Sequence, residues 1–325
     1  MVGRTGPDAV AARARVDIVT VNWNAGPQLE ACVASVRAME PDMVDRFIVV
    51  DNGSRDGSAD FRCDWDRLVV DKAAENLGFG RGCNRGARQG EAPYILLLNP
   101  DTRLTGPAIA KAVAFLEAPE NEAYGICGIK LLDERGRVTR HCARFPTLGR
   151  FASIMAGLDR LLPGRAPGLL MTDFDHRSSR RVDHVQGAFY LIRRDLFEAL
   201  GGFDDDYFVY LEDLDLSLRA RQRGALCYYL AEAEAFHRGG GTTDQAKATA
   251  RFYGIEARFI YVRKHFGFLS RVAHAVLSYL VEPPATIAWS LIRHRGQTLG
   301  QVLRGYALML RNTPRLLRGR AAGPL

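Results

Sequence analysis

The chain has 325 residues, 47 % apolar and 25 % charged. That is the balance of a soluble globular protein with room for a sizeable core, as two domains or as one α/β domain with an appendage. Its six cysteines include no CxxC pair, which argues against a zinc ribbon or a thioredoxin-type site and suits a reducing compartment.

The net charge is +7, and the seven arginines from Arg293 to Arg320, with no acidic residue after Glu282, account for all of it. Such a block points to a polyanionic partner, either nucleic acid or an anionic membrane surface. Residues 1–15 lack the apolar stretch of a signal peptide and read as a flexible lead-in. VDIVTVN (16–22) predicts a strand, and Leu29, Cys32, Val33 and Val36 fall at helical spacing within Pro27–Met39. FIVVD (47–51), LVVD (68–71) and YILLLN (94–99) predict further strands. Helices are expected over 79–89 and over 107–116, the second with proline at its first position. Strands alternating with helices imply βαβ units and a mostly parallel sheet.

The second half has a different texture. YGICGIKLLDERGRV reads as strand and turn, and residues 144–180 read as irregular. HVQGAFYLI (184–192) reads as one strand with a glycine inside it, often a mark of close approach by a ligand or another backbone. DLFEALGGFD predicts a short helix, and YFVYLEDLDLSLRARQRG passes from an aromatic run into a helix ended by Gly224. ALCYYLA (225–231) predicts the last strand, and a long helix is expected from about 244 to 265. Residues 266–292 are apolar on average, but Arg271, His274 and Glu282-Pro283-Pro284 interrupt them, so a membrane span is not expected. Leu299, Val302, Leu303, Tyr306 and Leu310 share one helical face, with Arg304 and Arg311 off it. That is the pattern of a helix lying in a membrane interface, with a helix packed on its own domain as the alternative.

Several segments hold candidate chemistry. In VDNGSRDGS, Asp51 ends a strand, where it can accept from the imide N–H of a pyrimidine or bond its own loop. NLGFGRGCNRG offers Gly78, Gly80, Gly82 and Gly86 at a helix start, with Asn76 and Asn84 as amide donors. The spacing is neither a dinucleotide fingerprint nor a P-loop, but it allows close backbone approach to a phosphate or sugar. Asn99 and Asp101 stand i, i+2 at a strand end, as hard oxygen ligands for Mg²⁺ or Mn²⁺ or as an Asn-Pro-Asp turn. Glu212 and Asp213 follow a mostly aromatic and apolar run, which suits either a helix start or a desolvated general base, while Asp215 reads as surface or structural. His237, before a glycine loop, is a third metal ligand or a structural histidine.

In their order these segments resemble the inverting nucleotide-sugar glycosyltransferases of family 2, which have the GT-A fold, and within them the bacterial rhamnosyltransferase-like branch. VTVNWN, VDNGSRDGS, NLGFGRGCNRG, LLLNPDT, QGAFYLIRRDLFEALGGFDDDYFVYLEDLDLSLR and FHRGGG carry the likeness across residues 16–265. The resemblance implies that Asn22 and Asp51 line the base pocket and that Asn76, Gly78, Asn84 and Asn99 lie along the nucleotide and sugar. Asp101 is then the main metal ligand, joined by His237 and by Asn99, which stands where the family has the first acid of its DxD motif. Gly187 and Ala188 would face the acceptor. Asp213, with Glu212 beside it, would supply the catalytic base.

The expected architecture is an α/β GT-A domain over residues 16–265, with a nucleotide-sugar half (16–120) and an acceptor half (121–265), followed by a basic amphipathic tail (266–325). The expected reaction is transfer of a sugar, rhamnose from its deoxythymidine diphosphate by resemblance, to a glycan or lipid-linked glycan for cell-surface polysaccharide. A UDP-hexose, UDP-galactofuranose or UDP-N-acetylglucosamine donor is the alternative. The cofactor would be Mg²⁺ or Mn²⁺. The expected location is the cytoplasm, peripheral on the inner face of the cytoplasmic membrane. Two other classes compete. A nucleic-acid binder would use the arginine tail, but no helix-turn-helix or RRM signature supports it. A catalytically silent scaffold in a glycan-assembly complex is favoured only by Asn99.

Overall fold

The computed structural model describes residues 16–162, 165–239, 247–294 and 297–318. The expected lead-in, Gly240, Gly241 and the start of the long helix lie outside these residues. Strands β1 (Val16–Asn22), β2 (Val44–Asp51), β3 (Leu68–Lys72) and β4 (Tyr94–Leu98) pair in parallel, in the order β3-β2-β1-β4. Every residue of β1 is buried, as expected for a strand covered on both faces. Helix α1 (Gln28–Met39) and helix α3 (Ala108–Glu117) cover one face, while helix α2 (Phe79–Ala87) covers the other.

The short strand β5 (Thr102–Leu104) follows β4, and β6 (Tyr124–Leu132) and the two-residue β7 (Cys142–Ala143) come after α3. Residues 144–180 are not wholly irregular. They contain α4 (Leu148–Met155) and one turn of helix, α5 (Leu158–Leu161). Thr147 caps α4 by accepting the Arg150 N–H, and Phe151 and Met155 are its buried anchors. The Arg, Gly and Pro around that short apolar repeat had hidden it.

Strands β8 (Arg180–Val182), β9 (His184–Val185) and β10 (Phe189–Arg193) follow. The single strand expected over 184–192 is therefore two. β9 pairs with β7 in a small separate sheet, and β10 runs antiparallel between β4 and β6 in the main one. The backbone changes sheets at Gln186–Ala188. After α6 (Arg194–Ala199) and α7 (Glu212–Gln222), β11 (Leu226–His237) is longer than expected. Beyond Ala231 it continues with exposed Glu232 and Glu234 alternating with buried Ala233 and Ala235, a period-two pattern in small residues. The nine described strands of the main sheet make a mostly parallel α/β/α sandwich.

Helix α8 (Lys247–His265) leads into α9 (Phe268–Val276) and α10 (Glu282–His294), joined without a break by a π turn at Leu277–Val281. Glu282-Pro283-Pro284 therefore does not interrupt the helix. Prolines cannot donate to the preceding turn, and the backbone widens just ahead of them, the Glu282 N–H bonding the Leu277 carbonyl. Phe268–Arg293 is long and apolar enough to cross a membrane by length and composition, with mean hydropathy 1.3. Helices α11 (Leu299–Arg311) and α12 (Thr313–Arg318) pack Val302, Tyr306, Met309 and Leu316 against Phe252, Ile255 and Phe259 of α8. The face expected to meet a membrane thus splits. Val302 and Tyr306 pack inward, while Leu303 and Leu310 remain outside.

One ion pair ties the two halves together. Asp17 on β1 is fully buried, 2.7 Å from Arg194 at the start of α6, and also accepts the Ala92 N–H. Burial raises the Asp17 carboxyl, against the pull of the Ala92 N–H and Arg194. Replacing Arg194 with Leu strands that carboxylate. The expected loss of unfolding free energy is about 3–5 kcal/mol, read by urea denaturation; a loss below about 1 kcal/mol refutes the role.

Candidate active site

The carboxyl ends of β1, β2 and β3 open into a cavity of about 800 Å³ whose lining includes Trp23, Asp51, Lys72, Glu75 and Asn76. A crevice at this edge is where open α/β sheets take ligands. Asn22 lies behind the wall, fully buried, its amide donating to Asp51 and Ser58 at 2.9 Å each, so it braces Asp51. Asn76 accepts from the Asn52 amide and the Gly78 N–H.

The glycine array serves the protein itself. A Cβ on Gly78, where φ is 87°, would sit 2.3 Å from the Phe208 carbonyl; one on Gly86 would sit 2.5 Å from Val19. These glycines seat α2 on β1 and on the loop before α7. Asn84 is likewise occupied. It is buried and clamps Phe203 through both backbone groups, with a further bond to Asp205.

The Asn99–Asp101 turn lies at the rim. The Asn99 N–H and the Thr102 hydroxyl both donate to the Ala188 carbonyl at 3.1 Å. His237 pairs with Thr102 in the β5–β11 ladder, which brings its Nε2 to 3.3 Å from Asp101 Oδ1, and the Gly239 N–H donates to the other oxygen. Burial works to raise the Asp101 carboxyl; the His237 bond and charge, with the Gly239 amide, outweigh it and hold it low. A carboxylate and an imidazole in contact are a donor pair suited to a divalent ion. Among the described residues no third His, Cys, Asp or Glu joins them.

The acidic pair points two ways. Asp213 Oδ2 accepts the Gly187 N–H at 3.0 Å, which is why the backbone leaves the sheet there. His184 Nε2 stands 3.5 Å from the same oxygen. The other nitrogen of His184 meets Ser217 at 2.9 Å, and Ser217 meets Tyr190 and the Asp213 carbonyl. Burial pushes the Asp213 carboxyl up, but His184 and the Gly187 and Leu214 amides bring it below the usual range. Glu212 faces inward, 5 % exposed, with Oε2 unpartnered. Burial, then the Asp213 charge, push it well up. The heightened basicity expected of this pair therefore falls on Glu212. Before them, Tyr210 and Leu211 hold φ of 73° and 62°, strained values for non-glycine residues. Asp215 is fully buried against Arg219 and His265, a structural acid.

Trp23, Lys72, Glu75 and His184 were missed in the sequence. Trp23 follows a strand end, a position that could have flagged it; His184 has no local signal.

A family model described as glycosyl transferase family 2 matches residues 17–201. The chain is 27 % identical to the N-acetylglucosaminyl-diphospho-decaprenol L-rhamnosyltransferase of Mycobacterium tuberculosis, covering 77 % of this chain and 85 % of the relative. It is 29 % identical to the rhamnosyltransferase WbbL of Escherichia coli K12, over 46 % of this chain and 54 % of that one. The solved mannosyltransferase PcManGT of Pyrobaculum calidifontis, in complex with GDP-Man and Mn²⁺, superposes with a TM-score of 0.53 at 16 % identity, covering 95 % of this chain and 85 % of that one. GalNAc-T7, solved with UDP, GalNAc and Mn²⁺, also gives 0.53, at 14 % identity, over 82 % of this chain and 54 % of that one. The fold is GT-A, and the chain belongs to glycosyl transferase family 2.

Proposed function

We propose that the chain is an inverting transferase that moves a sugar, rhamnose in the first instance, from a nucleoside diphosphate to a hydroxyl of a lipid-linked glycan at an anionic membrane surface. The single observation behind this reading is the seam at Ala188, with Asp101 on one side and Gly187–Asp213 on the other. The rhamnose assignment rests on the two relatives named rhamnosyltransferases.

Asp51 and Trp23 would take the base, by a hydrogen bond and an aromatic face. Asp101 and His237, with Asn99 beside them, would hold Mg²⁺ or Mn²⁺. When bound, such an ion neutralises charge on the diphosphate. Asp213, ionised at neutral pH, takes the proton of an acceptor hydroxyl brought against Gly187. The acceptor oxygen bonds to the anomeric carbon as the bond to the diphosphate breaks on the opposite face, and the nucleoside diphosphate leaves. His184 orients Asp213 and favours its charged form. Glu212, protonated, keeps a second negative charge away from it.

Asp101→Ala and Asp213→Ala should each cut transfer by at least about a thousandfold, more than the 10²–10⁴ of general acid–base catalysis at its low end. Both should keep the parent melting temperature. Titrating Mn²⁺ with the nucleoside diphosphate should show binding lost in the first and kept in the second. Transfer surviving in both variants refutes the assignment.

His184→Ala removes the main charge and bond that lower the Asp213 carboxyl, so burial dominates. The acid limb of kcat/KM should move to higher pH. A lower rate with an unmoved limb makes His184 merely structural.

Glu212 keeps its proton in the folded chain at pH values where the unfolded chain has released it. The folded state then binds more protons, and stability falls as pH rises above the ordinary carboxylate range, by about 1.4 kcal/mol per pH unit at most. Glu212→Gln should therefore gain stability over the parent increasingly from pH 5 to pH 8 in urea melts. A gain that is constant across that range means that Glu212 is ionised when folded.

A further inference from the structure

The helix Phe268–His294 is amphipathic in the wrong sense for a soluble protein. Its inward positions fall every four residues on polar side chains, His274, Ser278, Glu282, Thr286 and Ser290, all buried. Its outward positions are apolar: Phe268 is 75 % exposed, Leu269 81 %, Leu280 70 % and Ile292 80 %, with Val272 and Val276 about half exposed. The neighbouring α11–α12 segment repeats the theme at heptad spacing. Leu303, Leu310 and Leu317 are exposed, and each is followed by an exposed arginine, Arg304, Arg311 and Arg318.

We propose that these outward stripes lie in the plane of an anionic lipid bilayer, with the apolar side chains at the acyl boundary and the arginines at the headgroup phosphates. This specifies the membrane partner in the function proposed above, but it does not depend on the transfer chemistry. Charge selects the occupant. Among the described residues beyond Phe266, every exposed charged side chain is an arginine, Arg271 and Arg293 included. A row of leucines, each with an arginine beside it, lets the guanidinium reach phosphate while the apolar side chain enters hydrocarbon.

The buried face decides between lying in the membrane and crossing it. Glu282 is paired with Arg258 of α8, Thr286 with Tyr306, and Ser290 with Thr298. A spanning helix would have to leave these partners and bring an unpaired carboxyl into hydrocarbon. Lying in the plane keeps every one of them.

The test uses the whole chain floated with phosphatidylcholine vesicles, with and without phosphatidylglycerol, in the absence of donor and metal. The parent should bind the anionic vesicles, and alkaline carbonate should strip it from them. The outward double variant Leu280→Asp/Ile292→Asp should lose at least about tenfold in partitioning while keeping its melting temperature and its transfer to a soluble acceptor. Arg304→Gln/Arg311→Gln/Arg318→Gln should lose the preference for anionic over neutral vesicles. Parent chain that stays unbound, or an Asp variant that binds as the parent does, overturns the proposal. So does retention after carbonate, which would mean a span, or parent chain that self-associates through the stripe and becomes monomeric on Leu280→Asp without a change in vesicle binding. An inactive active site would leave all of these readings unaltered, so the two failures are distinguishable.

Discussion

The carbonyl of Ala188 is the point on which the site depends. It accepts from Asn99 and Thr102, while the next strand begins by pairing Phe189 with Leu98 at the end of β4. The antiparallel β10 is thereby welded to β4, the last strand of the parallel β3-β2-β1-β4 set. One residue earlier, the Gly187 N–H is outside any ladder and belongs to Asp213. Had 184–192 run on as a single strand, that N–H would be spent on a neighbouring strand, and the carboxylate would lose the contact that aims it. The break in the sheet is what places Asp101 and Asp213 on opposite sides of one short stretch of backbone.

The same geometry separates two acids that are adjacent in sequence. Asp213 meets a histidine and two amides; Glu212 meets the underside of α2 and has an oxygen without a partner. Two ionised carboxylates side by side in a buried first turn would repel each other strongly. With one kept neutral, the other can be fully charged close to the apolar wall. The strained backbone at Tyr210 and Leu211 turns the chain sharply enough to send consecutive side chains in different directions.

Much of this was legible in the sequence, and what was not has definite physical reasons. The parallel half could be read because its strands are continuous apolar runs and its first helix has a clean 3.6-residue period. The candidate residues Asp51, Asp101, Asp213 and His237 were visible because each stands at the end of an element, where chains place chemistry. Residue type alone could not separate polar groups that face the cavity from those that hold it up, so Asn22 was read as lining when it lies behind the wall and braces Asp51. The glycine array is ambiguous for a related reason: a missing Cβ signals that something approaches closely, here Val19 and Phe208, without naming it. His184 could not be found at all, since its proximity to Asp213 arises from a fold that brings residues 184 and 213 together. The tail misled as well. His274 and Glu282-Pro283-Pro284 were read as interruptions of an apolar stretch, whereas the helix runs on through them and turns His274 and Glu282 inward.

That braced wall also connects the ends of the site. Asn52 holds Asn76 and the Gly78 carbonyl, and the Phe79 N–H bonds the Phe208 carbonyl at 2.9 Å. Phe208 precedes α7 by only a few residues, and Gly78 leaves no slack between them. The chain of contacts runs from the cavity floor to the helix bearing Asp213 without passing through solvent. The wall behind Asn76 therefore leads, through closely packed backbone of little compressibility, to the acid pair on its far side. In this arrangement the glycines are what packs the cavity wall tightly against the segment that leads into the acid pair.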